Sequence, residues 1–137
     1  MLLRNIATIY VFDGDKILLM YRVGSRLFNE DIWVGIGGHF ENDEMDDPYR
    51  CAMRELTEET GLSVNDISNL KLKYITTRKT PGEIRQQYIF FTNLINKSVE
   101  LAASGEGNTY WIPFSGIVFT KNGLFEHGMS EALFRYW

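Results

Sequence analysis

Cysteine is almost missing from this sequence: Cys51 stands alone among 137 residues, so no internal disulfide can form, and a reducing compartment suits the chain. No apolar run is long enough to span a bilayer, and the opening MLLRNIATIY lacks the continuous apolar core of a signal peptide. A soluble cytoplasmic protein without a membrane partner is the expectation. Basic excess is lacking too. A net charge of −4 argues against a duplex-binding surface, because proteins that hold nucleic acid usually present a basic face that releases counterions. Small phosphates stay open to an acidic protein if metal ions bring the positive charge. Internal repeats and low-complexity segments are absent as well.

What is present is enough apolar material for one core. With 45% hydrophobic and 14% aromatic residues, the length fits a single domain over 1–137. Two β-branched and aromatic runs, 6–12 (IATIYVF) and 16–21 (KILLMY), flank Asp13-Gly14-Asp15 and predict a hairpin. A loop is expected over 24–31, then a short strand over 32–36 (IWVGI) that leads into Gly37-Gly38, where the glycine pair opens a loop. After a polar connection at 64–69, the alternation in 70–77 predicts a strand, 78–83 a turn centred on Pro81-Gly82, and 84–94 a more buried strand. A polar, glycine-containing loop follows over 95–108 with Glu100 and Glu106, and apolar structure resumes at 110–114. From Leu124 to Trp137 the apolar spacing predicts a terminal amphipathic helix. Strands on both sides of a central helix give an α/β or α+β domain with a mixed sheet.

That central helix carries the chemistry. Asp47 followed by Pro48 reads as an N-cap before a proline at the first helical position, and Gly61 as the C-terminal stop. Tyr49, Ala52, Met53, Leu56 and Thr60 recur at helical spacing as the buried stripe, so Glu55, Glu58 and Glu59 should point elsewhere, together. Like charges at that spacing repel by about 0.2–0.5 kcal/mol per exposed pair. A cation over the cluster would relieve this, and an all-oxygen donor set suits a hard ion such as Mg2+ or Mn2+. The plainer interpretation is a solvated acidic face with Arg54 as its internal partner. Cys51 lies on the same helix with no histidine near it in sequence, so packing is its expected role.

Gly38, Glu44, Arg54, Glu55, Leu56, Glu58, Glu59, Gly61 and Leu62 resemble the Nudix box: glycine, five residues, glutamate, seven residues, then Arg-Glu-apolar-x-Glu-Glu-x-Gly-apolar. The second gap, 45–53, is two residues longer than the pattern, an insertion before or around the Asp47-Pro48 cap that lengthens a loop without shifting the carboxylates. The resemblance implies the α/β/α sandwich of the Nudix fold and a Mg2+-dependent or Mn2+-dependent pyrophosphohydrolase of the MutT-like branch. It implies Glu58 and Glu59 as principal metal ligands, Glu55 as ligand or base, and the Gly37 carbonyl as a further ligand. Arg54 would orient a glutamate through its planar fork, and Glu44 would tie loop to helix. Gly38 and Gly61 would serve the backbone.

Outside the box the resemblance implies a glutamate from a distant loop a few residues before a tryptophan; Glu106, five before Trp111, is the match. Arg22 occupies a place where a basic residue contacts the nucleotide, Trp33 one where an aromatic wall meets the base, and Asn122 matches a late asparagine that reads a purine. Val34 follows Trp33 where relatives that act on oxidised purines carry asparagine, which argues against that route to 8-oxo-dGTP. The implied substrate is a small nucleoside diphosphate-linked compound, foremost a nucleoside triphosphate cut to monophosphate and pyrophosphate. A nucleotide sugar or a dinucleotide is the second enzymatic alternative, and a nucleotide sensor without turnover the non-enzymatic one. Monomer and homodimer are both open.

Overall fold

The computed structural model describes residues 1–22, 32–102, 108–113, 117–120 and 123–126. Strand β1 (Leu2–Asp13) is the spine: Ala7, Ile9 and Val11 are fully buried on one face, while Tyr10 and Phe12 pack on the other, the alternation a pleated strand requires. A hairpin joins it to β2 (Lys16–Arg22), with Phe12 opposite Ile17 and Asp13 opposite Lys16. On its other edge β1 runs parallel to β6 (Glu83–Asn93), which is antiparallel to β5 (Lys71–Thr80), and β2 pairs with β3 (Ile32–Val34) and β7 (Asn108–Pro113). With β4 (Ile36–His39) beside β1, these strands form a mixed seven-stranded sheet among the described residues.

The segment around the glycine pair differs from expectation. Gly35 breaks the predicted strand 32–36 into β3, which pairs with β2, and β4, which pairs with β1. The glycine pair does not open a loop; it lies within β4, Gly37 opposite Thr8 and Gly38 opposite Ala7. The reason is steric. A Cβ on Gly37 would stand 1.9 Å from the Ala7 carbonyl oxygen, so only glycine lets the two backbones come this close.

Helix α1 (Pro48–Thr60) has the limits its end signals predict: Asp47 Oδ1 accepts the Arg50 amide at 3.1 Å, and Gly61 ends it with φ of 79°. Its inner face is Cys51, Ala52, Leu56 and Thr60, packed with Glu59 against β1 and β4. Tyr49, expected in the buried stripe, is instead exposed, its ring edge meeting Phe90, and Met53 is half-buried. Small Cys51 takes the inner position because the helix sits close over β4, its Sγ 3.8 Å from the carbonyls of Gly38 and His39. Its packing role agrees with expectation.

Strands β5 and β6 reach closer to their turn than predicted, leaving only Pro81-Gly82 between Thr80 and Glu83. The predicted terminal helix is wrong at its start: Gly123–Glu126 is strand β9, antiparallel to β8 (Ile117–Thr120). Ile117–Thr120 (IVFT) is rich in β-branched and aromatic residues, and its pairing with Gly123–Glu126, Thr120 opposite Gly123, overrides the helical spacing. The rest of that prediction, 127–137, lies outside the described residues.

The close approach at Gly37 gives a direct test. Gly37→Ala should cost about 3 kcal/mol, since backbone must move to admit the methyl group. A urea denaturation midpoint unchanged from wild type would contradict the contact.

Candidate active site

Arg54 is the hub of the box. Its Nε donates to Glu44 Oε2 at 2.7 Å and its Nη2 to Glu44 Oε1 at 2.9 Å, a bidentate fork. Nη1 donates to Glu55 Oε1 at 2.9 Å and Glu58 Oε2 at 3.1 Å, and Nη2 also reaches the His39 carbonyl at 3.2 Å. One side chain thus joins two helix carboxylates, the end of β4 and the 3-10 turn Asn42–Glu44. Glu44 is only 1% exposed, and Oε1 also accepts the Glu41 amide at 2.9 Å. The Arg54 hydrogen bonds overcome the desolvation that opposes them and hold the Glu44 carboxyl down at about 2, against an ordinary 4.5; Glu44 in turn raises Arg54.

The three helix carboxylates do not share one solvated face. Glu58 is 56% exposed and Glu55 is mostly covered, whereas Glu59 is 3% exposed and turned inward, Oε2 accepting the Gly37 amide at 3.1 Å. Gly38 gives Glu55 its room, since a Cβ there would lie 2.5 Å from Glu55 Oε1. Gly37 meets the helix through its amide, which leaves the metal-ligand role expected of its carbonyl a separate matter. Burial drives the Cys51 thiol up to about 12, with Glu44 adding to the effect, so it is no nucleophile at neutral pH.

A second acidic group was not anticipated. Glu41, Asp43 and Glu44 offer carboxylate oxygens that all lie within 4.8 Å of one another, Asp43 pairing with Arg50 at 2.9 Å. The signal for it was there: Glu41-x-x-Glu44 has the spacing at which a side chain reaches back to an amide three residues earlier. Trp33 lies on the sheet face away from α1, packed with Tyr10, Ile17 and Leu19 and touching the rings of Tyr21 and Tyr110. Arg22 ends β2 opposite Ile32. Glu106 and Asn122 lie outside the described residues.

A family model, the NUDIX domain, matches residues 1–133. The chain belongs to the Nudix family. With the family comes the class of enzyme, a pyrophosphohydrolase. Among solved structures, a MutT NUDIX hydrolase from Burkholderia pseudomallei is similar in fold at 17% identity, with 82% of this chain and 84% of that one covered and a TM-score of 0.66. A C. elegans Ap4A hydrolase in a binary complex matches at 17% identity, 80% of each chain covered, with a TM-score of 0.65. The E. coli ORF135 protein matches at 22% identity over 82% of this chain and 75% of that one, with a TM-score of 0.62.

The Arg54 and Glu44 pair yields a pH prediction. The folded state depresses the Glu44 pKa, so the stability this group contributes is present above pH 4.5 and is lost as pH falls toward about 2. Glu44→Gln should flatten the decline of stability across that window, whereas Arg54→Met, which leaves the buried carboxylate unpaired, should cost about 3 kcal/mol at neutral pH. Urea midpoints taken at several pH values check both, and parallel acid limbs in wild type and Glu44→Gln would refute the pairing energetics.

Proposed function

We propose that the protein is a Mg2+-dependent pyrophosphohydrolase, Mn2+ being a substitute, that cuts a diphosphate bond in a small nucleoside diphosphate-linked compound, foremost a nucleoside triphosphate giving monophosphate and pyrophosphate. The observation that carries this reading is the ordered acid site in which Arg54 draws Glu55 and Glu58 together while Glu59 is buried against the Gly37 amide. The donor set fits the ion: carboxylate oxygens offered by one rigid helix, with one of them buried where a bare charge is costly. Glu58 and Glu59 would be the principal ligands, with Glu55 and the Gly37 carbonyl beside them. Bound there, Mg2+ would neutralise phosphate charge and lower the pKa of a water.

The chain's own groups do the rest. Arg54 holds Glu55 in one rotamer, so a carboxylate is placed in advance to take the proton of the attacking water. Glu44 keeps Arg54 in that pose, and Gly38 leaves space for the Glu55 carboxylate. Glu106 is proposed as a ligand or base from its loop. Arg22, Trp33 and Asn122 are proposed substrate contacts, with Trp33 acting from the sheet face on which it lies. A dinucleotide is the second substrate reading, favoured by the likeness in fold to the C. elegans Ap4A hydrolase. No helix among the described residues is long and apolar enough to cross a membrane, and with its lone cysteine the chain is proposed to work in the cytoplasm.

A panel of nucleoside triphosphates, nucleotide sugars and dinucleotides with Mg2+, scored for the released product, tests the reading. On the best substrate Glu59→Gln should lose more than nine-tenths of kcat, and Glu106→Gln at least about tenfold, with the melting temperature of metal-free protein little changed. Wild-type kcat in Glu59→Gln would remove it as a ligand, and an unchanged kcat for Glu106→Gln across a Mg2+ titration would remove Glu106.

A further inference from the structure

Strand β5 is the outermost strand on one side of the sheet: it pairs with β6 and, among the described residues, with no other strand. Its pairing with β6 is regular from Tyr74 to Thr80, so seven residues, roughly 23 Å of strand, turn their remaining backbone donors and acceptors outward along a free edge. Residues 71–77 are all exposed, on both faces of the sheet. The diphosphate chemistry uses none of this strand.

The edge is apolar near its centre and cationic around it. Leu72, Tyr74 and Ile75 are 48%, 59% and 52% exposed. Leu72 lies opposite Phe90 and Ile75 opposite Tyr88, on the side of α1, whereas Tyr74 meets the ring of Phe91 on the other side, so each face offers an apolar side chain next to the free edge. Lys71 and Lys73 stand at one end of this group and Lys79 at the other, all three exposed, and among the described residues no carboxylate pairs with them. Strand β5 has no acidic residue of its own, in a chain whose net charge is −4, and Glu83 across the turn is engaged by Arg4 and Arg85.

We propose that the β5 edge is a docking strand for an extended acidic segment of another protein, which adds to the sheet as one more strand. Main-chain hydrogen bonds along Tyr74–Thr80 supply the pairing, carboxylates on the segment meet Lys71, Lys73 and Lys79, and apolar residues between them cover Tyr74 on one face and Leu72 and Ile75 on the other. Charge decides the occupant. A second copy of this chain would lay its own three lysines along these three, and like charges across a ladder destabilise it, so the charges that repel self-pairing attract an acidic strand. The bulge between Leu72 and Tyr74 bends β5 at Lys73 and leaves the regular stretch after it for the incoming strand.

Titration of metal-free protein with a blocked heptapeptide in which glutamate alternates with valine, followed by backbone amide shifts and hydrogen exchange in low salt, tests this without turnover, so its outcome is independent of the hydrolase reading. Shifts should centre on residues 71–80, and the β5 amides that do not bond to β6 should slow in exchange. Combined Lys71→Gln, Lys73→Gln and Lys79→Gln changes, all at exposed positions, should raise the peptide Kd at least about fivefold, while Lys97→Gln leaves it unchanged. A peptide of the same net charge with proline at its centre, which cannot donate to the ladder there, should bind at least about fivefold more weakly. Absence of binding, equal Kd in wild type and the triple variant, equal binding of the proline peptide, or shifts centred elsewhere would overturn the site. So would self-association of the wild-type protein through the same amides as its concentration is raised, which would make a second copy the occupant, and an oligonucleotide that binds the edge as tightly as the peptide, which would make it a general polyanion surface.

Discussion

The fork between Arg54 and Glu44 is the interaction on which the acid site depends. Two short hydrogen bonds fix the guanidinium plane, and only then can its remaining donors reach Glu55, Glu58 and the His39 carbonyl. A lysine at this position would carry the same charge but could not present five donors in one plane. Glu44 is inside the protein for this purpose: a buried carboxylate is tolerable because its partner is bidentate and because the Glu41 amide satisfies a further lone pair. The pair fastens a short turn to α1, so the two residues added in this part of the box lengthen the path between them without loosening the join.

A second constraint sets the depth at which the helix lies. Gly37 and Gly38 have no side chains, and each absence admits a particular neighbour: the Ala7 carbonyl at Gly37, the Glu55 carboxylate at Gly38. The helix can then descend until Cys51 and Leu56 are fully buried and Glu59 meets the Gly37 amide. Fold and site are thus one problem of close approach. The opposite face of the sheet has other chemistry, aromatic around Tyr10 and Trp33.

Much of this was legible because its determinants are local. Asp47-Pro48 and Gly61 bound α1 where the structure ends it, Asp13-Gly14-Asp15 closes the first hairpin, and the box spacing locates every helix carboxylate. The errors come from partners distant in sequence. Gly37 looks like a loop residue until Ala7, thirty positions earlier, is laid against it. Glu59 looks solvated until the glycine pair is placed under the helix, and Tyr49 looks buried on a helical wheel that does not show where the sheet stops. The helix predicted from Leu124 failed at its start for another reason, since helical spacing over a few apolar residues is weak beside a strand pairing that sets Phe119 opposite Leu124.

Arg54 orders the helix carboxylates by the geometry of its fork, and the proposed divalent-ion site depends on that geometry and not on the arginine's charge. Mn2+ binding to Arg54→Lys, followed by electron paramagnetic resonance, tests it most directly. Mn2+ affinity should fall at least about tenfold while circular dichroism shows the helix intact. Wild-type affinity in that variant would contradict it.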